Sequence, residues 1–211
     1  TLLVARLDRL SQQVKEVVQA AAILGREFEL RLLTKMLQKN ITPEVVVAEG
    51  KRVWLPLSEL QYIFKHILLW DVAYSMQLQS NLRQGHCLAA TMGEQLYAHD
   101  LAPYYATLAY HYEAATLSGH PASQPKVLHY LQQAGEQAAA AFQKEVALSY
   151  FNRSLQITPE QALLTRYDLL LARENIYHLQ GDRAAQAIDL ATLQTLVAGD
   201  PTRLTIVTLQ L

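Results

Sequence analysis

A chain of 211 residues that is 51% hydrophobic and 18% charged has an ordinary globular composition, enough for one large core or two small ones, which excludes a disordered polypeptide. Its 18 Lys+Arg and 19 Asp+Glu leave a net charge of −1, divided as 11 and 10 over residues 1–100 and 7 and 9 over residues 101–211. Neither half is therefore the basic surface that grips nucleic acid whatever its sequence. A single cysteine, Cys87, cannot close an internal disulfide and favours a reducing, cytoplasmic setting, and no apolar run reaches the roughly 18 residues that span a bilayer.

The chain begins at Thr1 within a helical pattern (Leu2, Leu3, Leu7, Leu10) and stops at Leu211 within another (Leu204, Val207, Leu211), and no secretory leader pattern is read at its start. Unfinished amphipathic patterns at both ends lead us to expect an excised fragment. Ser11 is placed to N-cap a helix with apolar positions at Val14, Val17, Val18, Ala21, Ala22 and Leu24, and Gly25 suits a left-handed C-cap. A second helix fits Leu30, Leu33, Met36 and Leu37 and ends near Asn40. Thr42-Pro43-Glu44 reads as an N-cap, a first-turn proline and a first-turn acid, predicting a short helix over residues 44–49, against the strand preference of Val45-Val46-Val47. Two β-prone pieces follow at residues 53–57 and 61–65, and Pro56 restricts the first to a sheet edge. Three helices and a small hairpin are the order of a winged helix.

Helices are predicted next over residues 67–78 and 82–97. From Leu101 the strand signal disappears: Leu108, Ala109, Tyr112 and Ala115 mark one helix face, residues 118–124 form a Gly/Pro loop, and helices fit residues 125–141, 144–157, 161–180 and 183–198. Short connectors between them imply antiparallel hairpins stacked side by side. Aligned on Gly135, the stretch covering the helices at residues 125–141 and 144–157 resembles the tetratricopeptide signature, with Leu131 at the bulky site and Ala147, Phe151, Ser154 and Pro159 at the later positions. Ala138 stands where that signature has Tyr, and Ser154 where it has Ala. Tyr177…Gly181-Asp182 is a second, phase-slipped match, so the repeat register stays open.

A more specific set of residues lies upstream. Asp8-Arg9-Leu10, then Val17…Ala20-Ala21-Ala22-Ile23-Leu24-Gly25-Arg26-Glu27-Phe28, then Phe64-Lys65-His66…Asp71-Val72-Ala73-Tyr74, Arg83…His86 and Leu108-Ala109-Tyr110-His111-Tyr112 occur in this order. This resembles the segment that follows the ATPase core in signal-transduction ATPases of the STAND class, in particular the bacterial subgroup associated with adenylate/guanylate cyclase or protein kinase domains. Trp70, Ile67 and Gly85 depart from that pattern, Gly85 weakening its helix by roughly 1 kcal/mol relative to Ala. The resemblance implies a mainly α chain: residues 1–10 as the end of an ATPase-lid helix, residues 11–100 as a winged-helix domain with its following helices, and residues 101–211 as tetratricopeptide-like repeats. It also implies a parent protein that binds ATP and ADP through a core lying before Thr1, and a partner protein or peptide on the repeats.

No Gly-x-x-x-x-Gly-Lys-Ser/Thr loop occurs, so nothing here cradles a nucleotide triphosphate unaided. In STAND proteins of the apoptosome and plant-resistance type, a winged-helix histidine in a Met-His-Asp motif touches the β-phosphate of ADP, and His66 stands at the matching place. Ile67 replaces the Asp, and the plainer reading of His66 is a hydrogen bond within the wing. His86, His99, His111, His120, His129 and His178 form no metal-ligand pattern, and Cys87 reads as a buried, inert thiol. Seven of the 11 tyrosines fall between Tyr97 and Tyr150, as a peptide groove or, more plainly, as interhelical packing. A DNA-reading helix would offer Arg, Lys, Asn or Gln, but residues 44–49 offer Glu44, three valines, Ala48 and Glu49. The expectation is a non-catalytic regulatory and interaction module that contacts its own ATPase domain and a partner protein, and neither nucleic acid nor membrane. The competing readings are a DNA-binding transcription regulator and an autonomous enzyme.

Overall fold

The computed structural model describes Ala5, residues 7–116, residues 124–198, Arg203 and Val207. The fold is mainly helical, with one small three-stranded antiparallel sheet. The chain divides into two compact units, one formed by Thr1–Leu101 and Tyr110–Pro121, the other by Ala102–Ala109 and Ala122–Leu211.

In the first unit, helix α1 (Gln12–Leu24) starts where Ser11 Oγ accepts a 3.4 Å hydrogen bond from the Val14 amide. Val14, Val17, Val18, Ala21 and Ala22 recur at helical spacing and are all buried. Gly25 does not take the expected left-handed helical cap; at φ 134° and ψ −175° it turns the chain into an extended segment, a conformation glycine alone enters freely. That segment is strand β1 (Glu27–Glu29), which the sequence reading missed because three residues carry no readable alternation. Helix α2 (Leu30–Leu37) stops earlier than Asn40, with Gln38 in the left-handed region at φ 50°. Helix α3 (Thr42–Gly50) has Pro43 in its first turn, and its N-cap position falls on Ile41, one residue before the expected Thr42. The three valines are helical here because Val45 and Ala48, three residues apart, bury on one face.

Strands β2 (Trp54–Pro56) and β3 (Gln61–Phe64) pair antiparallel with Trp54 opposite Phe64 and Pro56 opposite Tyr62. β3 lies in the centre, since β1 pairs with its other edge, Phe28 opposite Tyr62. Pro56 is thus on an edge strand, where its missing N–H costs no ladder bond. The sheet's inner side is aromatic: the Phe28 ring lies 5.2 Å from that of Trp54 and 5.8 Å from that of Phe64. Helix α4 (Ile67–Ser75) adds Leu69 and Ala73 to this core, and Trp70 Nε1 donates to the Ala22 carbonyl of α1 at 2.9 Å. Trp70 therefore ties two helices, a role open to a large indole and closed to a short polar side chain. Helix α5 (Gln79–Leu96) approaches α1 at Gly85, where an added Cβ would lie 2.2 Å from Ile23 Cδ1. The glycine that weakens the isolated helix leaves room here for the end of the Ile23 side chain.

Helix α6 (Tyr105–Thr116), entered through a 3₁₀ turn at Ala102–Tyr104, contributes residues to both units. Leu108, Ala109, Tyr112 and Ala115 are buried along it, as their spacing predicts. The expected loop at residues 118–124 falls outside the described residues except for Gln124.

The second unit consists chiefly of α7 (Gln124–Ala140), α8 (Lys144–Ile157), α9 (Leu163–Gln180) and α10 (Arg183–Leu196). The α7–α8 pair meets at Gly135, where an added Cβ would stand 2.8 Å from Phe151 Cε1. Leu131, Ala138, Ala147, Phe151 and Ser154 are all buried, and Pro159 follows the end of α8. Gly181 takes the left-handed cap of α9 at φ 75°, and Asp182 caps α10 by accepting from the Ala185 amide at 3.1 Å.

Candidate functional site

His66 occupies the N-cap position of α4, two residues beyond the end of β3. Its backbone is extended at φ −130° and ψ 135°, and its carbonyl accepts from the Leu69 and Trp70 amides at 2.9 and 3.4 Å. The imidazole is exposed and makes no capping hydrogen bond, so the amides of the first turn of α4 receive no side-chain acceptor from it. The hydrogen bond that the plainer reading gives the His66 ring is not formed among the described residues. An exposed imidazole beside the amide end of a nine-residue helix is chemically suited to an anionic group.

The first unit also exposes aliphatic side chains. On α3, Val46 and Val47 are 63% and 45% exposed; on the hairpin, Leu55 and Leu57 are 43% and 52%; after His66, Ile67 and Leu68 are 49% and 58%. Glu44 and Glu49 are the only charged side chains on α3, which a phosphate backbone would meet unfavourably.

The remaining candidates separate. His99, His129 and His178 are exposed, and His120 lies outside the described residues. His86 and His111, read as scattered, are brought within hydrogen-bonding distance in the buried interior of the first unit. A separation of 25 residues gave no signal of this; only the alignment of α5 with α6 does. Cys87 is exposed rather than buried: neighbouring helical residues differ by about 100°, and the buried place is taken by His86. Among the seven clustered tyrosines, Tyr97, Tyr112 and Tyr130 are buried, Tyr97 donating to Glu29 at 2.7 Å, while Tyr110 is 48% exposed. Among the described residues no three His, Cys, Asp or Glu side chains are arranged to hold a metal ion, and no helix is long and apolar enough to cross a membrane.

In the second unit the polar chemistry is internal. Arg173 donates to both carboxylate oxygens of buried Asp189, at 2.9 and 2.5 Å, and to Asn152 at 2.6 Å. Burial opposes the Arg173 charge, but the hydrogen bonds and charge of Asp189 outweigh it and hold the guanidinium above its usual range. Gln186 donates to buried Glu174 at 2.6 Å and accepts from Arg183 at 2.7 Å. These groups satisfy one another and knit α8, α9 and α10 together.

Comparison with known proteins finds no matching family model, and no curated protein or solved structure matches the chain.

Proposed function

We propose that this chain is a non-catalytic regulatory and protein-interaction module of a multidomain STAND-class ATPase. Its first unit serves as a winged helix against a nucleotide-binding domain, and its second as tetratricopeptide-like hairpins that sense a partner protein. The observation that carries this reading is the element order of the first unit: three helices, a short antiparallel hairpin, and β1 pairing with the inner strand of that hairpin. The close contact of Gly135 with Phe151, flanked by buried Leu131, Ala147 and Ser154, supports the repeat assignment at the positions that carry the signature.

Protein is favoured over nucleic acid as partner because the exposed side of α3 offers Val46 and Val47 and no cation. His66 contributes a hydrogen bond to the β-phosphate of ADP held in the ATPase domain, so partner binding shifts the parent between closed ADP and open ATP states. Titration calorimetry of ATP and ADP into the 211-residue chain tests the central claim. No binding is expected up to millimolar nucleotide, and a micromolar dissociation constant would refute a module that depends on a neighbouring domain. In the parent ATPase, His66→Ala is expected to speed ADP release; unchanged retention removes His66 from the reading while leaving the module intact.

A further inference from the structure

The interior of the first unit contains a polar cluster that the proposed function does not use. His86 on α5 and His111 on α6 are each 1% exposed, and their Nδ1 atoms face each other at 2.8 Å. On the other side of the His86 ring, Nε2 lies 2.8 Å from the Tyr74 hydroxyl of α4. Tyr110 stands beside them, its ring 5.4 Å from that of His86 and 5.2 Å from that of His111. Three helices of one unit thus meet at four rings, of which Tyr74, His86 and His111 are joined by hydrogen bonds.

Counting protons shows what this arrangement tolerates. Two nitrogens 2.8 Å apart share one hydrogen, so one Nδ1 donates and the other accepts. With both rings neutral there are two consistent arrangements. If His86 Nδ1 carries the proton, His86 Nε2 accepts from the Tyr74 hydroxyl; if His111 Nδ1 carries it, His86 Nε2 donates to the Tyr74 oxygen. One added proton removes the first arrangement, fixes Tyr74 as the acceptor and leaves a cation in a buried site. A second puts N–H against N–H, and the pair must part.

We propose that the His86–His111 pair is an acid-released latch, which holds the second half of α6 on α4 and α5 while both rings are neutral and releases it when they take up protons. Among the described residues no carboxylate is bonded to either ring; Asp71 of α4 lies three residues before Tyr74, and Glu94 of α5 eight residues after His86. From α4 the facing group is Tyr74, and from α6 Tyr110, with Glu113 two residues past His111. On α5, Arg83 lies three residues before His86, and its Nε is buried without a partner. The charged side chains of α1 are Lys15 and Glu16, engaged with Asp8 and Lys39; those of α2 are Arg31, bonded to Glu29, and Lys35. Burial lowers His86 from 6.5 to about 4, and burial reinforced by His86 lowers His111 to about 3. A histidine depressed when closed and ordinary when open binds more protons in the open form. The latch is therefore fully effective above about pH 6.5 and weakens progressively as pH falls toward the closed-state values.

Amide hydrogen exchange on the 211-residue chain at pH 7.5 and 5.5, corrected for intrinsic chemistry, tests this. Two such histidines predict that opening of residues 110–116 rises about a hundredfold over this interval, and one histidine, in His111→Gln, about tenfold. Corrected exchange that does not change, or an equal rise in the amides of α1, overturns the latch. Should His111→Gln fail to fold, the ring Hε1 titration of the unaltered chain decides. His86 and His111 must stay neutral well below pH 6.5, and titration of either ring near pH 6.5 refutes the proposal.

Discussion

The two compact units solve the problem of buried polar groups in opposite ways. The first encloses uncharged rings: His86 bonds both His111 and Tyr74, and Tyr74 packs against a core that includes Phe28, Trp54 and Phe64. The second encloses charges, with Arg173 doubly bonded to Asp189, and Glu174 held by Gln186. A neutral pair needs no ionic partner but fails when protonated. An ion pair keeps its charges at neutral pH and fails when one member is removed, because the other is left buried alone. The contrast extends to packing, where the first unit relies on aromatic faces and the second on a small residue, Gly135, received against one ring.

The largest test of this contrast is Asp189→Ala. It strands the Arg173 guanidinium, whose side chain is only 20% exposed, and is expected to destabilise the second unit by about 3 kcal/mol. Trp54 and Trp70 are the only tryptophans and both belong to the first unit, so urea unfolding followed by tryptophan fluorescence reports that unit. Far-UV circular dichroism adds the helices of the second. A shift in the dichroism transition with an unmoved fluorescence midpoint is expected; equal shifts in both would show that the units unfold as one and break the comparison.

A smaller effect sharpens it. Gly135→Ala places a methyl group 2.8 Å from Phe151 Cε1 and 3.1 Å from Cδ1 and Cζ, against a ring that is 1% exposed and has nowhere to retreat. Overpacking of about 3 kcal/mol, less about 1 kcal/mol of helix propensity regained, leaves a net loss of about 2 kcal/mol in the same dichroism transition. A neutral result would mean that α7 and α8 slide apart cheaply, contrary to the role given to Phe151.

The long helices were legible because their burial follows the 3.6-residue period in Val14–Val17–Val18–Ala21 and again in Leu108–Ala109–Tyr112–Ala115. Pro56 announced its own edge strand by lacking an N–H. What escaped was short or long-range. Strand β1 is three residues, stabilised by pairing with β3 more than thirty positions away. The His86–His111 contact joins two helices whose mutual alignment no local pattern encodes. Cys87 was misjudged from its residue type, when the position of His86 on the same helix already determined which way it faced. His66 was placed correctly at a helix start, yet its exposed and unbonded ring was not foreseen from the motif around it.

The smallest expected effect tests whether the two glycines differ as their neighbours do. At Gly85 an added Cβ would fall 2.2 Å from Ile23 Cδ1, nominally a worse collision than at Gly135, but the atoms behind it, Cγ1 and Cγ2, stand off at 3.5 and 3.6 Å. The clash is with the end of a flexible side chain, and a rotation about χ2 carries that methyl group away. A strained or altered rotamer costs about 1 kcal/mol, and replacing a mid-helix glycine by alanine returns about 1 kcal/mol. Gly85→Ala should therefore change the fluorescence-detected stability of the first unit by less than about 0.5 kcal/mol. A loss as large as that of Gly135→Ala would mean that Ile23, itself 5% exposed, is as immobile as Phe151. The α1–α5 contact would then be a rigid small-residue crossing like the one between α7 and α8, and the distinction in packing between the units would fall.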